Sequence, residues 1–399
     1  MPRKLSTSTT DVALRPVPCS RTQPSMDTPA RKYTIVELYA GTARSADAFR
    51  QWRRSRIGLL VDQDEHAAAT YRHNHRKAPY LVTNVKALRP AEIEAKAGGK
   101  VDILLGCPPC QGFSDTGARN EQDPRNSHLT RFGLLAEQLQ PLAIAMENVP
   151  LAGGTWRFER FAERMKAAGY RSTWGILNAA LRGSAQCRHR LVYIGIRNDV
   201  GVAPQIAPPR FGTGGTYFNY ATGAMAPISA DPITMLSEPP AARRVRKAMP
   251  YTEFKFGPKS IPTIQQALDG LPQIGSAEAD RLSHARWQHT PAMIQRMAEV
   301  AEGGRWAGGA DHFSHSYGRL HRTGLSRTIT TFFSNPGSGR FWHPSEDRAL
   351  SIREAARIQG FPDDFAFLDY PTGNCRLVGN ALDGHLADVT YRTIRACLG

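Results

Sequence analysis

Short apolar runs alternate with stretches that suit helices along residues 33–197 of the chain. Each run ends in polar or small side chains, as buried strands do. We predict strands at Thr34–Tyr39, Leu59–Asp64, Tyr80–Val82, Val101–Leu105, Pro141–Met146 and Leu191–Ile196, with a helix over Ala46–Trp52 after the first of them. Strands that alternate with helices usually pair in parallel. The pattern therefore predicts an α/β protein built on a doubly wound, Rossmann-like sheet.

The pattern changes after residue 197. Gly and Pro cluster in residues 203–215, and short helices are predicted at Thr263–Asp269 and Thr290–Ala301, the first opened by Pro262. A final helix, Val389–Cys397, suits a return to the sheet. We therefore predict four parts, which are a disordered tail (1–30), a catalytic and cofactor-binding domain (31–197), a smaller second domain (198–345) and a segment returning to the first domain (346–399). Met26 is a second candidate for the start of translation.

The composition points to an anionic partner. The chain has 51 Lys and Arg against 35 Asp and Glu, a formal net charge of +16, which suits DNA but also RNA or another polyanion. No apolar run is long enough to span a membrane, and residues 1–30 lack the apolar region of a secretory signal. Six cysteines in 399 residues, in no framework spacing, suit a reducing compartment. We expect a cytoplasmic protein, associated with the nucleoid if the source is bacterial.

The segment Gly106–Ser114, Gly-Cys-Pro-Pro-Cys-Gln-Gly-Phe-Ser, follows a predicted buried strand. Two prolines stiffen the backbone before Cys110, and open α/β sheets place their chemistry at this end of a strand. Cys110 is therefore a candidate nucleophile. Three alternatives stay open for Cys107 and Cys110, which are a redox pair, half of a zinc site, and small buried hydrophobic side chains. No second zinc-binding half lies at a suitable spacing, so we predict no metal.

Polar side chains also mark the next buried strands. Glu147 follows the apolar run Pro141–Met146; burial favours the neutral form of a carboxyl group, and a neutral carboxyl can donate to a ring nitrogen. Alternatively, Glu147 pairs with an arginine at the sheet edge. Gln186, Arg188 and Arg190 precede a later strand and in an extended chain share one face. They suit an oxygen-rich ligand or Glu147 itself.

Pro-Pro-Cys-Gln-Gly-Phe-Ser, Glu-Asn-Val and Gln-x-Arg-x-Arg, in this order, resemble the motifs of the C5-cytosine DNA methyltransferases. Supporting blocks are Asp123–Asn126, Arg348–Asp363 and Gly379–Ala381, and the likeness spans about residues 33–398. The resemblance implies a class I S-adenosylmethionine-dependent methyltransferase sheet and a target-recognition role for the second domain. It also implies double-stranded DNA as substrate, bound in the cleft between the two lobes.

The resemblance implies a role for each candidate catalytic residue. The Cys110 thiolate adds to C6 of a flipped cytosine, Glu147 binds the N3/N4 edge, and Arg190 with Arg188 holds the cytosine O2 and orders the pocket. Residues predicted to face DNA are Gln111, Ser114, Arg319, Arg322, Arg327 and Arg340. A solvated surface arginine is an equally good interpretation of each of these arginines.

The resemblance also implies a binding site for S-adenosylmethionine. Its predicted contacts are Tyr39, Ala40, Gly41, Thr42, Asp62, Gln63, Asn84, Val85, Pro109, Asn380 and Ala381. Among these, Tyr39 would lie against the adenine and Asp62 would bind the ribose hydroxyls.

The chain departs from the family pattern at several positions near that site. Ala43 and Arg44 stand where the family usually has two glycines, Leu377 replaces a usual Gln, and Asp383-Gly384 replaces a Pro-Pro pair. Arg44 either crowds the cofactor or pairs with its carboxylate. We expect cofactor binding to be retained.

Three alternative functions stay open. An RNA methyltransferase of the tRNA-modifying kind would use the same chemistry, although the Cys-Phe-Thr tripeptide of that relative is absent. A nucleic-acid-binding protein that no longer binds cofactor would explain the altered glycine turn. A thiol–disulfide oxidoreductase lacks a thioredoxin pattern. We further expect a monomer without membrane contact, with a cognate restriction endonuclease that acts separately as a candidate partner.

Overall fold

The computed structural model describes residues 32–77, 79–109, 127–211, 216–219, 224–227, 259–308 and 316–399. Its first eight strands are β1 (Tyr33–Leu38), β2 (Ser55–Asp62), β3 (Tyr80–Val82), β4 (Ile103–Gly106), β5 (Ala143–Asn148), β6 (Tyr170–Asn178), β7 (Gln186–Cys187) and β8 (His189–Arg197). All but β7 form one seven-stranded sheet in the order β3-β2-β1-β4-β5-β8-β6. The strands from β3 to β5 pair in parallel, and β8 runs antiparallel to β5 and β6. The predicted α/β sheet is confirmed.

Helices cover both faces of this sheet. They are α1 (Arg44–Asp47), α2 (Glu65–Asn74), α3 (Pro90–Ala97), α4 (Ser127–Leu139) and α5 (Trp156–Ala167). Because successive strand residues point to opposite faces, Ile35 packs with α1 and α2, whereas its neighbour Val36 packs with α3, α4 and α5. Burial on both faces explains why the strands are continuous apolar runs rather than alternating ones.

The helix after β1 is shorter than predicted. The sequence suggested a helix over Ala46–Trp52, but α1 ends at Asp47 and turns follow. The Ser55 hydroxyl donates to the carbonyl oxygens of Phe49 and Trp52. These side-chain hydrogen bonds compete with helical ones and close the connection to β2.

The remaining described strands and α-helices lie after β8. They are β9 (Thr216–Asn219), β10 (Ala224–Pro227), α6 (Ile264–Leu268), α7 (Ala277–Arg281), α8 (Pro291–Ala298), β11 (Ser326–Arg327), α9 (Ile352–Ile358), α10 (Pro371–Asn380) and α11 (Gly384–Leu398). β9 and β10 form an antiparallel hairpin, and β11 pairs in parallel with β7. In the described part of the chain no helix is long and apolar enough to cross a membrane.

A third core lies away from the sheet. It joins Leu320 and Phe341 to Leu350, Ala355 and Val378, whereas α11 packs with α1 against the sheet. Residues 32–399 form one compact unit. The domain boundaries 31–197, 198–345 and 346–399 stay predictions, and the predicted tail 1–30 lies outside the described residues.

Candidate active site

A cleft of about 520 Å³ opens where the sheet order reverses, between the carboxyl ends of β1 and β4. Open α/β sheets bind ligands at this switch point. All the residues predicted to contact cofactor line this central cleft, namely Tyr39, Ala40, Gly41, Thr42, Asp62, Gln63, Asn84, Val85, Pro109, Asn380 and Ala381. Glu147 and Arg190 line it as well. Residues that are far apart in the sequence and were predicted to act together therefore lie around one cleft.

The turn from β1 to α1 forms one wall of the central cleft. Tyr39, Gly41 and Ala43 all have positive φ, at 58°, 50° and 54°. A Cβ built on Gly41 meets no atom within 4 Å, so open space lies in front of this glycine. The buried hydroxyl of Thr42 has no hydrogen-bond partner among the described residues. An open glycine beside an unpaired buried hydroxyl suits a bound ligand.

Asp62 and Asn84 each use part of their hydrogen-bonding capacity within the protein. The Asp62 carboxylate accepts from the backbone N–H groups of Gly41 (2.8 Å) and Asp64 (3.0 Å), and burial raises its pKa. Asn84 Oδ1 accepts from the N–H of Lys86, which leaves the Nδ2 amide for a ligand. Both side chains retain hydrogen-bonding capacity suited to a nucleoside.

Glu147 and Arg190 form an ion pair beside these groups. They stand on the antiparallel neighbours β5 and β8, and Arg190 Nε lies 2.7 Å from Glu147 Oε1. Both side chains are 14% exposed. The pair therefore keeps a face toward the cleft while the arginine fixes the position of the carboxylate.

The thiol of Cys107 lies next to this pair. Burial, and then the charge of Glu147, raises the pKa of Cys107 well above its usual range. The thiolate is the reactive form of cysteine, and this environment disfavours that form of Cys107. Among the residues that the structure describes, no group of three or more His, Cys, Asp and Glu side chains could hold a metal ion.

Arg188 does not contact the central cleft, so the prediction that it holds the substrate is wrong. Its guanidinium donates to the carbonyl oxygens of Ile329, Gly379 and Ala381, and only 2% of the residue is exposed. Burial lowers the pKa of Arg188 to about 9. It is a positioning residue, because its hydrogen bonds join the segment that contains Ile329 to the end of α10 and the loop that follows.

Gln186 has a similar role at the same junction. Its amide nitrogen donates to Gln359 Oε1 (2.6 Å) and Asp383 Oδ2 (3.0 Å), and its oxygen accepts from the N–H of Ile329. Of the three side chains predicted to share one face, Arg190 alone lines the cleft. The other two direct their polar groups toward the C-terminal segment.

Two arginines predicted to face DNA are buried instead. Arg319 is 4% exposed, and its five N–H donors bind Met297, Val300, His343, Glu346 and Asp347. Arg340 is 5% exposed and donates to the carbonyl oxygens of Gly303, Gly304 and Arg319. The prediction that they contact DNA is wrong, because a sequence does not reveal which arginines are needed to satisfy loop carbonyls.

Arg322 and Arg327 are exposed, as a DNA contact requires. Arg322 forms an ion pair with Glu302 at 3.0 Å, whereas Arg327 ends β11 beside the Gln186–Cys187 strand. Because it is exposed, Arg327 stays a candidate for DNA binding. The predicted nucleophile Cys110 and the predicted DNA contacts Gln111 and Ser114 lie outside the described residues.

Sequence reasoning missed Glu37, which also lines the central cleft. Its carboxyl is 1% exposed and accepts from the N–H of Ala46 (2.8 Å), and burial raises its pKa to about 8. An acidic residue in the middle of the apolar run Thr34–Tyr39 was the available signal.

Comparison with known proteins gives a consistent picture. A family model described as C-5 cytosine-specific DNA methylase matches residues 33–395. The Type II methyltransferase M.DdeI of Desulfomicrobium norvegicum is 25% identical over 84% of this chain and 79% of its own length. The Type II methyltransferase M.AgeI of Thalassovita gelatinovora is 26% identical over 91% of this chain and 99% of its own.

Solved structures share the fold. A DNA modification methyltransferase encoded within a prophage (E. coli) superposes with a TM-score of 0.63 at 20% identity, covering 92% of this chain and 99% of that one. Dnmt2 methyltransferase of S. pombe superposes with a TM-score of 0.58 at 16% identity, covering 92% and 98%. These similarities support the same sheet architecture.

Proposed function

The chain belongs to the C-5 cytosine-specific DNA methylase family and is a DNA (cytosine-5) methyltransferase, and on that premise we propose how its residues carry out the reaction. S-adenosylmethionine binds in the central cleft, and a cytosine flipped out of duplex DNA binds beside Glu147 and Arg190. Flipping the base costs roughly a few kcal/mol, which contacts in the pocket must recover.

The observation that supports this proposal best is the position of the Glu147–Arg190 pair. It faces the same cleft as the turn Tyr39–Ala43. The cleft volume of about 520 Å³ suits a nucleoside-sized cofactor with room for a base. The open space at Gly41 and the unpaired hydroxyl of Thr42 also fit a bound cofactor.

The chain's own residues divide the chemistry as follows. The Cys110 thiolate adds to C6 of cytosine, and Glu147, held by Arg190, hydrogen-bonds the N3/N4 edge and favours protonation at N3. When bound, the cofactor supplies an electrophilic methyl group. With the cofactor bound, C5 would gain that methyl group, with release of a neutral thioether. A water molecule would then take the C5 proton as the C6–S bond breaks and Cys110 leaves as the thiolate. Arg188 positions the surrounding loops without touching the base.

Within the cleft, we assign the adenosine part of the cofactor to Tyr39, Asp62 and Asn84. The residues Ala40, Gly41, Thr42, Gln63, Val85, Pro109, Asn380 and Ala381 complete the proposed cofactor contacts. Gln111, Ser114 and Arg327 remain the proposed contacts to DNA. The free Nδ2 group of Asn84 and the Asp62 carboxylate support this assignment, since adenine and ribose present matching acceptors and donors.

The names of the relatives bear on the biological setting. They are called Type II methyltransferases, so we propose that this chain protects DNA alongside a restriction endonuclease that acts separately. We further propose that it acts as a monomer in the cytoplasm. Methylation-sensitive sequencing of a host genome that expresses the chain, together with its mass in solution, tests the site specificity and the monomer.

Trapping on a modified substrate tests the mechanism. A duplex library containing 5-fluorocytosine, incubated with S-adenosylmethionine, should give a denaturation-resistant adduct, because fluorine at C5 cannot leave as a proton does. Peptide mapping should locate the adduct at Cys110, and Cys110→Ser should form none while still binding DNA. An adduct at Cys107, or none with a duplex that the enzyme methylates, would contradict the proposal. Methyl transfer to tRNA but not to duplex DNA would favour the RNA alternative.

A further inference from the structure

Arg44 lies at the edge of the central cleft, at a position where related sequences usually have glycine. It is the first residue of α1 and lines the cleft. Its Nη2 donates to the carbonyl oxygen of Gly360 (2.7 Å), and its guanidinium carbon lies 4.9 Å from the centroid of the Phe361 ring. These two contacts hold the side chain against the segment that follows α9.

The fold provides space for this arginine. A Cβ built on Gly384 would lie 2.8 Å from Arg44 Nη2 and 2.5 Å from the carbonyl oxygen of Gly360. Gly384 is the second residue of the Asp383-Gly384 pair that replaces Pro-Pro. The two departures therefore fit each other, because any side chain at position 384 would displace the guanidinium or the backbone.

The guanidinium lacks a direct counter-ion. Among the described residues no carboxylate lies within 4.0 Å of it, and its buried Nε has no hydrogen-bond partner. The carboxyl groups of Asp47, Asp383 and Glu37 favour its charged form from a longer distance, without an ion pair. The Asp383 carboxylate is already used, because it accepts from Ser184 and Gln186 and pairs with His385 at 3.1 Å. A half-buried charge without a direct partner is destabilised, so an anionic ligand group would stabilise this site.

We propose that Arg44 binds the α-carboxylate of S-adenosylmethionine. The carboxylate is the one anionic group of that cofactor, and an arginine fork can bind it through two hydrogen bonds. The proposal rests on the function proposed above. It makes Arg44 a cofactor-binding residue of this chain, at a position where the family pattern has glycine.

The test compares two ligands by calorimetry in the absence of DNA. S-adenosylhomocysteine carries the carboxylate, whereas 5′-methylthioadenosine shares the adenosine and thioether but lacks the amino-acid part. We expect Arg44→Met to weaken S-adenosylhomocysteine about tenfold or more, as a charged hydrogen bond of this kind predicts. The affinity for 5′-methylthioadenosine should change less than about threefold. That change corresponds to less binding free energy than one charged hydrogen bond contributes. Arg44→Lys should lie between, because it keeps the charge but not the fork.

The control is Arg50→Met, which removes an arginine after α1 that does not line the cleft and should leave both affinities unchanged. Thermal unfolding checks that each variant folds. If Arg44→Met does not fold, the two ligands are compared with Arg44→Lys instead. Equal losses for both ligands, or no loss for either, would refute the role of Arg44 alone. Failure of the unmodified protein to bind either ligand would refute the proposed cofactor as well.

Discussion

The buried carboxyl group of Glu37 makes the stability of the fold depend on pH. Burial raises the pKa of its carboxyl from 4.5 to about 8. At pH values between these two, the folded protein keeps a proton on Glu37 that the unfolded chain releases. The stability gained from this proton is fully present below pH 4.5 and is lost as the pH rises through about 8. Folding of the unliganded protein should therefore weaken across the neutral range.

Glu37→Gln tests this pH dependence. The amide keeps the shape of the carboxyl and an oxygen to accept from Ala46, but it cannot ionise. We expect the free energy of unfolding of the wild type, measured by thermal unfolding, to fall with rising pH relative to this variant. The difference should reach roughly a few kcal/mol at pH 8 and above. Glu92→Gln, at an exposed position on α3, is the control and should parallel the wild type. Parallel curves for Glu37→Gln as well would refute the assignment.

At the scale of single elements, the stability of helix α9 depends on a capping box and on a buried ion pair, and only the capping box can be read from the sequence. Ser351 and Glu354 form a capping box at its start, a pattern visible in the sequence. The same Glu354 also accepts two hydrogen bonds of 2.7 Å from Arg348, and both side chains are almost fully buried. Burial alone would raise the pKa of Glu354, but the hydrogen bonds and the charge of Arg348, together with His343 and the Ser351 N–H, outweigh burial and the pKa is lowered.

Glu346 provides a matched comparison, because it pairs with the same Arg348 from the surface, at 3.0 Å and 36% exposed. Glu354→Gln leaves the buried guanidinium without its main partner and should lower the free energy of unfolding by about 3–5 kcal/mol. Glu346→Gln should cost about 1 kcal/mol or less, since a half-exposed pair is screened by water. Denaturant unfolding at neutral pH measures both values. Equal costs would show that the difference in burial does not control the energy of this arginine's two pairs.

Elements formed by a local sequence pattern were predictable, whereas those that depend on side-chain hydrogen bonds to other segments were not. The strands β1 to β5 were predictable because each is a short apolar run between polar residues. The lengths of α1 and of the loops near Arg319 were not, because they depend on which side chains bind backbone carbonyl oxygens. Ser55 binds the carbonyl oxygen of Phe49 close by in the chain, and Arg319 binds those of Val300 and His343 farther away. Arg188 was misassigned for the same reason, since its partners lie more than a hundred residues away in the chain.

At the scale of the whole molecule, the grouping of residues around the central cleft was predictable and the choice of exposed arginines was not. The proposed cofactor contacts follow successive strand ends, so motif and topology together bring Tyr39, Asp62 and Asn84 to one cleft. DNA contacts depend on which arginines the loops leave exposed. Arg319 and Arg340 are used internally, whereas Arg327 reaches the surface.

The net charge of +16 predicts that DNA binding weakens steeply with salt, because bound cationic side chains release counter-ions from the phosphates. Arg327→Ala should weaken duplex binding and make the slope of log affinity against log salt shallower by about 1, the change expected for one lost phosphate contact. Arg322→Ala is the control, since Glu302 already neutralises that arginine, and its slope should stay close to the wild type. Fluorescence anisotropy across a salt series measures both. A slope for Arg327→Ala that matches the wild type, at equal affinity, would place the DNA-binding surface elsewhere on the molecule.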